Sequence, residues 1–473
     1  MTRSEWVKIL KGGNLLTLDR TFFSSFSTVT PSEPLKRLCK GHKIAGFNFN
    51  THVSEEPKDG VGSREFFGRV VQEVINLHGL ARRHDCDGRN KSSVGSHKPD
   101  YLERSSELSG EQGVLCLGEI KGMNGSDSEF ADEDVGQILD FVQALLTQQA
   151  WRQWAFGFLT DGIRFEFFRG ARSSNGKLSF TTSGLHSKES GWVRLSQLLQ
   201  QSDQCLGYTA VTVPDWKLDS WLGSGETTSV YSATSATKEV AVCKIYIGEK
   251  ALASRDNEWE ALEMMSDDIN TPKIKSKLMT TGGEQSFPVL VVTPLGRQLG
   301  SKGVRLPIHA YAPLVDTLLC SHQRGRCHLD VCGDNMFAVE LPPEKGQRDL
   351  DYRIILNDWA SSMPTEVTRT ATEFYTHKLF YDANHMGPEE DLAALVRSVF
   401  MLTMNTFTTT VKTFQDLDQL MCQQWNWGRA LEKAREGNYD AVRHFFLYGS
   451  IASAGSDACC EDEESVVAKK RKG

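Results

Sequence analysis

Three stretches in the second half of the chain carry the residue types that metal-assisted phosphoryl chemistry uses. His328-Leu329-Asp330-Val331-Cys332-Gly333-Asp334-Asn335 sets an aspartate and an asparagine five residues apart, leading into an apolar strand expected over Met336 to Val339. Ile354-Ile355-Leu356-Asn357-Asp358 reads as another apolar strand ending in an aspartate. Two carboxylates and one amide at strand ends flanking a hairpin can hold Mg²⁺ on a triphosphate and orient an attacking hydroxyl. Each piece alone also suits a turn, where Asp and Asn cap the local backbone. Upstream, Gly223-Ser224-Gly225-Glu226-Thr227-Thr228-Ser229-Val230 has the form of a glycine turn between two strands, where missing Cβ atoms let backbone N–H groups approach phosphate oxygens. Lys244 follows Val230 by fourteen residues and closes the apolar run Val240-Ala241-Val242-Cys243. A buried ammonium requires an anion, which Glu258 on the next expected helix and the phosphates would supply; the plain alternative is a lysine that snorkels to the surface.

A second group lies in the first half. Pro99-Asp100 precedes Glu119-Ile120-Lys121 by about twenty residues. On a strand, Glu119 and Lys121 share a face because the side-chain period is two. Asp100 and Glu119 can hold Mg²⁺, while Lys121 steadies an attacking water or the charge developing on a phosphodiester. Glu73 faces inward on an expected helix and could reach the same place, as could Gln137 on the following one. Against this, Glu-x-Lys arises readily by chance, and Glu56-Pro57-Lys58 is another instance.

The elements that would position these residues follow from periodicity. Phe66, Phe67, Val70, Val71, Val74 and Leu77 recur at helical steps from Arg64 to Gly79. Arg82 to Lys98 is polar and locally basic and reads as a loop, followed by a strand over Val114 to Lys121. Val135, Ile138, Leu139, Val142, Leu145 and Leu146 form one face of a helix that Asp132 and Asp134 open. Trp154 to Leu159 and Ile163 to Phe168 read as a hairpin turned by Thr160-Asp161-Gly162. A boundary is expected at Gln200 to Pro214, then a strand-rich stretch (Trp221 to Tyr246), a helix near Arg255 to Met265, and a largely helical region after Leu314.

Composition narrows the class without naming a function. The chain has 473 residues, 39% hydrophobic and 24% charged, which excludes collagen-like, coiled-coil and wholly disordered proteins and suggests two or three domains. Apolar runs such as Val289 to Val292 fall far short of the ~20 residues a membrane helix needs, so no membrane partner is expected. No classical signal peptide is visible at Met1-Thr2-Arg3-Ser4-Glu5-Trp6, and eleven cysteines without metal-type spacing suggest a reduced environment. Residues 1–200 hold 25 Lys and Arg against 24 Asp and Glu, leaving 28 against 37 for the rest. Four basic residues, Lys469 to Lys472, end an acidic tail and suit nuclear import.

In motif order, residues from about 220 to 445 resemble the protein kinase superfamily. That resemblance implies ATP and Mg²⁺ as cofactors and a protein substrate. Gly223, Gly225 and Val230 would cover the nucleotide, Lys244 would anchor phosphates with Glu258 as its helix partner, preferred over Glu260 because Leu262 follows it by four residues, Asp330 would be the catalytic base, and Asn335 and Asp358 would hold metal. Asp391, opening an apolar helix over Leu392 to Leu402, would brace the catalytic loop. The departures are Thr228 for the third glycine, Leu329 for the arginine that pairs with a phosphorylated segment, Trp359-Ala360 after the metal aspartate, and no Ala-Pro-Glu. Activity independent of such phosphorylation is therefore expected.

The order Glu73, Pro99-Asp100, Glu119-x-Lys121, Gln137 is similar to the restriction-endonuclease-like superfamily, which implies DNA as partner. The pairing of both resembles the Crinkler effectors, a family delivered into other cells, acting in their nucleus and able to cause cell death, although its ubiquitin-like header is not evident. The expected architecture is thus α/β plus α+β: an extension (1–60), a restriction-endonuclease-like α/β domain (61–200), a bilobal protein-kinase-like domain (210–450) and an acidic/basic tail (451–473). The departures at Leu329 and Ala360 leave open a scaffold in which both domains serve binding alone.

Overall fold

The structure is a computed structural model that describes residues 2–26, 71–72, 82–85 and 99–451, apart from 14, 20, 25, 106–112, 122–128, 174–176, 226–227, 282–285, 300–303, 342–351, 369–379, 383–385, 405–410 and 412. It is a mixed α/β protein with several sheets. Two units divide it: Met1–Arg255 with Lys275–Thr293, and Asp256–Ile274 with Pro294–Gly473. The boundary expected at 200–214 lies inside the first unit. Among the described residues no helix is long and apolar enough to cross a membrane. Glu73, most of the helix expected from Arg64, and the tail after Ile451 lie outside the described residues; Val71 and Gln72 are helical.

Helix α1 (Arg3–Gly12) opens the first unit with a Thr2/Glu5 capping box, which satisfies two helix-end donors reciprocally. Strand β1 (Leu16–Leu18) then pairs parallel with β7 (Leu178–His186). The segment before residue 60, expected to carry no assignable element, therefore contributes a helix and an edge strand. Between them in sequence run β2 (Arg82–Asp85), β3 (Tyr101–Ser105), β4 (Val114–Ile120), α2 (Asp132–Gln148), β5 (Trp154–Thr160) and β6 (Phe165–Arg172). Residues 82–85, expected in a loop, form the far edge strand of a seven-stranded sheet ordered β1-β7-β6-β5-β4-β3-β2. The pair β4 and β5 is parallel, and every residue of β4 is buried. This follows from covering on both faces: α1 and α2 pack on one, α3 (Lys188–Leu199) with Phe22, Phe23 and Phe26 on the other. Gly136 allows the α1 contact, because a Cβ there would stand 2.7 Å from that of Arg3.

A five-stranded sheet belongs to the same unit, ordered β11-β12-β10-β9-β8, from β8 (Trp216–Ser224), β9 (Thr228–Ser235), β10 (Val240–Tyr246), β11 (Lys273–Met279) and β12 (Pro288–Thr293). It is tied to the end of α2. The hydroxyls of Ser229 and Tyr231 both donate to the Gln148 carbonyl, and Trp151 packs on Tyr231 at 5.9 Å. Helix α4 (Ala251–Met264) runs across the unit division.

The second unit is built around α6 (Pro388–Met404), whose residues Glu390 to Met401 are all buried. Around it lie α5 (Ala312–Gln323), α7 (Phe414–Cys422), α8 (Trp425–Arg435) and α9 (Tyr439–Tyr448). Arg397 on α6 is fully buried yet paired, with Glu390 at 2.5 Å and Asp418 at 2.7 Å, as a buried guanidinium requires. Short strands carry the loops: β14 (Arg326–Cys327) pairs with β17 (Met363–Pro364), and β15 (Met336–Glu340) with both β13 (Arg297–Gln298) and β16 (Tyr352–Leu356).

Candidate active site

Between β14 and β15 runs the loop His328 to Asn335, which places three sequence-selected residues in one hydrogen-bonded set. The Asn335 side-chain nitrogen donates to the Asp330 carboxylate at 2.8 Å and to its carbonyl at 2.9 Å. His328 is locked from both ring nitrogens: Nε2 meets the Asn357 carbonyl at 3.0 Å, and Nδ1 accepts the Asp330 N–H at 3.2 Å. That pairing selects the neutral tautomer protonated on Nε2. Leu329 stands between them at φ 65° and Asp358 at φ 63°, a left-handed conformation that costs a non-glycine residue energy and persists only where its surroundings hold it.

Asp391 in the first turn of α6 supplies the hold. It is fully buried and accepts from the N–H groups of His328 (2.6 Å) and Leu329 (2.9 Å), from His322 Nε2 (2.9 Å) and from the Tyr381 hydroxyl (2.8 Å). Burial alone would raise its carboxyl; the hydrogen bonds from His322 and Tyr381 oppose it, and Asp391 lies below the usual carboxylate value. His322, Cys327 and Asp391 also bring three ligand-type atoms within 4.8 Å, but both Asp391 oxygens are occupied by these donors, so the group acts as a brace.

The segment after β16 is fixed separately. Trp359 is fully buried and its indole N–H donates to the Leu356 carbonyl at 3.0 Å, which pins Asp358 beside it. Asn257 donates to the carbonyls of Ala360 (2.7 Å) and Ser362 (2.8 Å). A tryptophan and an alanine at these positions thus build a closed turn in which Asp358 remains partly accessible.

In the first unit, Lys244 sits on β10 opposite Val230 of β9 and is 3% exposed. The strands on either side extend further than the sequence suggests: Gly223 pairs with Val230 inside the β8–β9 ladder, so the turn itself begins at Gly225. A Cβ on Gly223 would meet nothing within 4 Å among the described residues, whereas one on Gly225 would stand 2.9 Å from the Thr228 hydroxyl. Neither has a positive φ. Glu258, on the part of α4 belonging to the second unit, is fully buried.

A separate cluster forms at the end of β4. Glu119 accepts from Gln137 at 2.8 Å and Lys121 at 3.1 Å; Lys121 also reaches Gln137 Oε1 at 2.7 Å and Asp134 at 3.1 Å. Asp100 accepts the Ile120 N–H at 3.1 Å, and both it and Glu119 are 5% exposed. Asp134 was legible in sequence only as a helix opener; its spacing of three from Gln137 is the signal that puts both on the face toward Lys121. Tyr381 and His322 carried no motif, since their partners lie ten and sixty-nine residues away.

Compared with known proteins, the chain matches no family model and no curated relative.

Burial, then the nearby Asp358 charge, push the Asp330 carboxyl up to about 6, with the Asn335 hydrogen bond opposing them. A carboxyl held above its unfolded value of about 4 keeps its proton better when folded, so the folded state loses stability as pH rises between about 4 and about 6. Asp330→Asn removes this loss. In metal-free protein its Tm is expected to gain on wild type across that window and stay ahead above it; a Tm difference independent of pH contradicts the shift.

Proposed function

We propose that this chain transfers the γ-phosphoryl group of ATP to a protein Ser or Thr hydroxyl. The observation that carries the reading is the loop itself: Asp330, with a carboxyl shifted toward neutrality, hydrogen-bonded by Asn335 and held by Asp391 through the backbone on its N-terminal side. A base with such a value can accept a hydroxyl proton near neutral pH. Asn335 spends its amide nitrogen on Asp330, which leaves its oxygen for a hard cation, and Asp358 offers a carboxylate of the same chemistry. The donor set therefore fits Mg²⁺, which would neutralise phosphate charge when bound. By the kinase resemblance, Lys244 would anchor phosphates and the Gly223–Gly225 turn with Val230 would cover the nucleotide. On this reading residues 210–450 would make up a bilobal protein-kinase-like domain. Leu329 offers no cation to a phosphorylated segment, so turnover would not await one.

The cluster at the end of β4 favours a second activity for the first unit, Mg²⁺-dependent cleavage of DNA in a restriction-endonuclease-like fold. Asp100 and Glu119 are hard oxygen donors, and the Lys121 ammonium held between Glu119, Gln137 and Asp134 is placed for phosphodiester charge. The combination would suit a Crinkler-type effector working in a nucleus.

Two assays test these readings. With labelled ATP and Mg²⁺, wild type is expected to label itself or an added protein and Asp330→Ala to lose this by at least about 100-fold while still binding ATP; transfer surviving in Asp330→Ala sinks the kinase mechanism. Supercoiled plasmid is expected to be nicked with Mg²⁺ or Mn²⁺ by wild type but not by Glu119→Ala or Lys121→Ala. Intact plasmid in every lane rules out cleavage.

A further inference from the structure

The strained loop around Asp330 is held on one side by Asp391, which takes the N–H groups of His328 and Leu329. Nothing in Asp391 reaches the other side, where the chain passes from Asp330 to Val331. That N–H is taken by Tyr381: its hydroxyl accepts from Val331 at 2.8 Å and donates to Asp391 Oδ1 at 2.8 Å. Tyr381 is 2% exposed, and burial, then the adjacent Asp391 charge, hold its phenol well above the ordinary value, so it remains a proton donor toward Asp391 at any working pH. One phenol oxygen thus closes a bracket whose arms are the amides at 328 and 329 and the amide at 331, with the Asp330 side chain between them.

We infer that Tyr381 is a positioning residue for Asp330, and that this inference rests on the phosphoryl-transfer reading above. A hydroxyl is suited to the task because it accepts and donates at once. Phenylalanine would fill the same volume and leave the Val331 N–H buried without an acceptor. The backbone would then turn to recover a partner, and Asp330, attached to it, would leave the line to the attacking hydroxyl. Misplacement of a reacting group by about 1 Å costs as much as 100-fold in rate. The bracket also accounts for a loop assembled without a phosphate: position 329 carries no cation, and the residues that hold the turn are all internal to the second unit.

The test compares the full chain as wild type, Tyr381→Phe, Asp330→Ala and Thr271→Val in labelled-ATP transfer with Mg²⁺, together with Tm. Thr271 has a buried hydroxyl in the same unit that donates to the Met265 carbonyl, so Thr271→Val matches the loss of a buried hydroxyl away from the loop. Tyr381→Phe is expected to lower kcat about 10- to 100-fold with the KM for ATP within about twofold, whereas Thr271→Val lowers Tm and keeps wild-type kcat. Unchanged kcat in Tyr381→Phe, beside an inactive Asp330→Ala, overturns the positioning role and leaves the kinase reading intact. Equal losses of kcat in Tyr381→Phe and Thr271→Val overturn it too, since they mark general loosening. Wild-type transfer by Asp330→Ala overturns the underlying reading and the positioning role with it. If Tyr381→Phe does not fold, amide exchange of wild type decides: exchange at Val331 as fast as at exposed loop amides overturns the bracket.

Discussion

One buried carboxylate organises the second unit. Asp391 accepts four hydrogen bonds from groups spread over sixty residues of sequence, from His322 to Tyr381. Removing a carboxylate from water costs several kcal/mol, and hydrogen bonds to a charged acceptor return about 1.5–3 kcal/mol each. Each donor lost leaves part of that cost uncompensated, so the anion favours the geometry that keeps its donors in place. Leu329 can hold a left-handed backbone because its N–H is fixed there. The position of Asp330 follows, and with it the shifted carboxyl. Helix α6, which carries Asp391, is buried over twelve consecutive residues.

The first unit shows the same logic with opposite sign. Arg152 is buried, and its guanidinium is satisfied by the carbonyls of Val114, Leu115, Trp154 and Leu206 and by Gln149. Burial lowers its pKa to about 10, leaving it charged at neutral pH. These carbonyls belong to the start of β4, the start of β5 and the segment leading toward the five-stranded sheet. Through Gln137 and Gln148, α2 touches both the Lys121 cluster and the strand after the glycine turn.

What was legible in sequence was whatever local pattern encodes. The periodicity of Val135 to Leu146 gave α2, the Thr160-Asp161-Gly162 turn gave the β5–β6 hairpin, and Glu119, Lys121 and Gln137 do meet. Asp330 and Asn335 meet as well, because five residues of loop suffice to join them. Local pattern could not show that Thr2 and Glu5 cap a helix packed against Gly136, since the packing depends on a glycine more than a hundred residues away. Nor could it show the edge strand at 82–85, whose four residues pair with β3 without an apolar alternation of their own. Tyr381 was invisible for a stronger reason: its function as a bridge exists only when the loop, α6 and the intervening chain are already folded.

The Asp391 carboxylate, through its donors, holds the loop around Asp330. Hydrogen–deuterium exchange over residues 326–336 in wild type and Asp391→Asn measures this most directly, since asparagine keeps the shape but offers only one acceptor oxygen and adds donors. Exchange is predicted to rise at 328–331 in the variant while the interior of α6 stays protected. Identical exchange over 328–331 in the two proteins would contradict it.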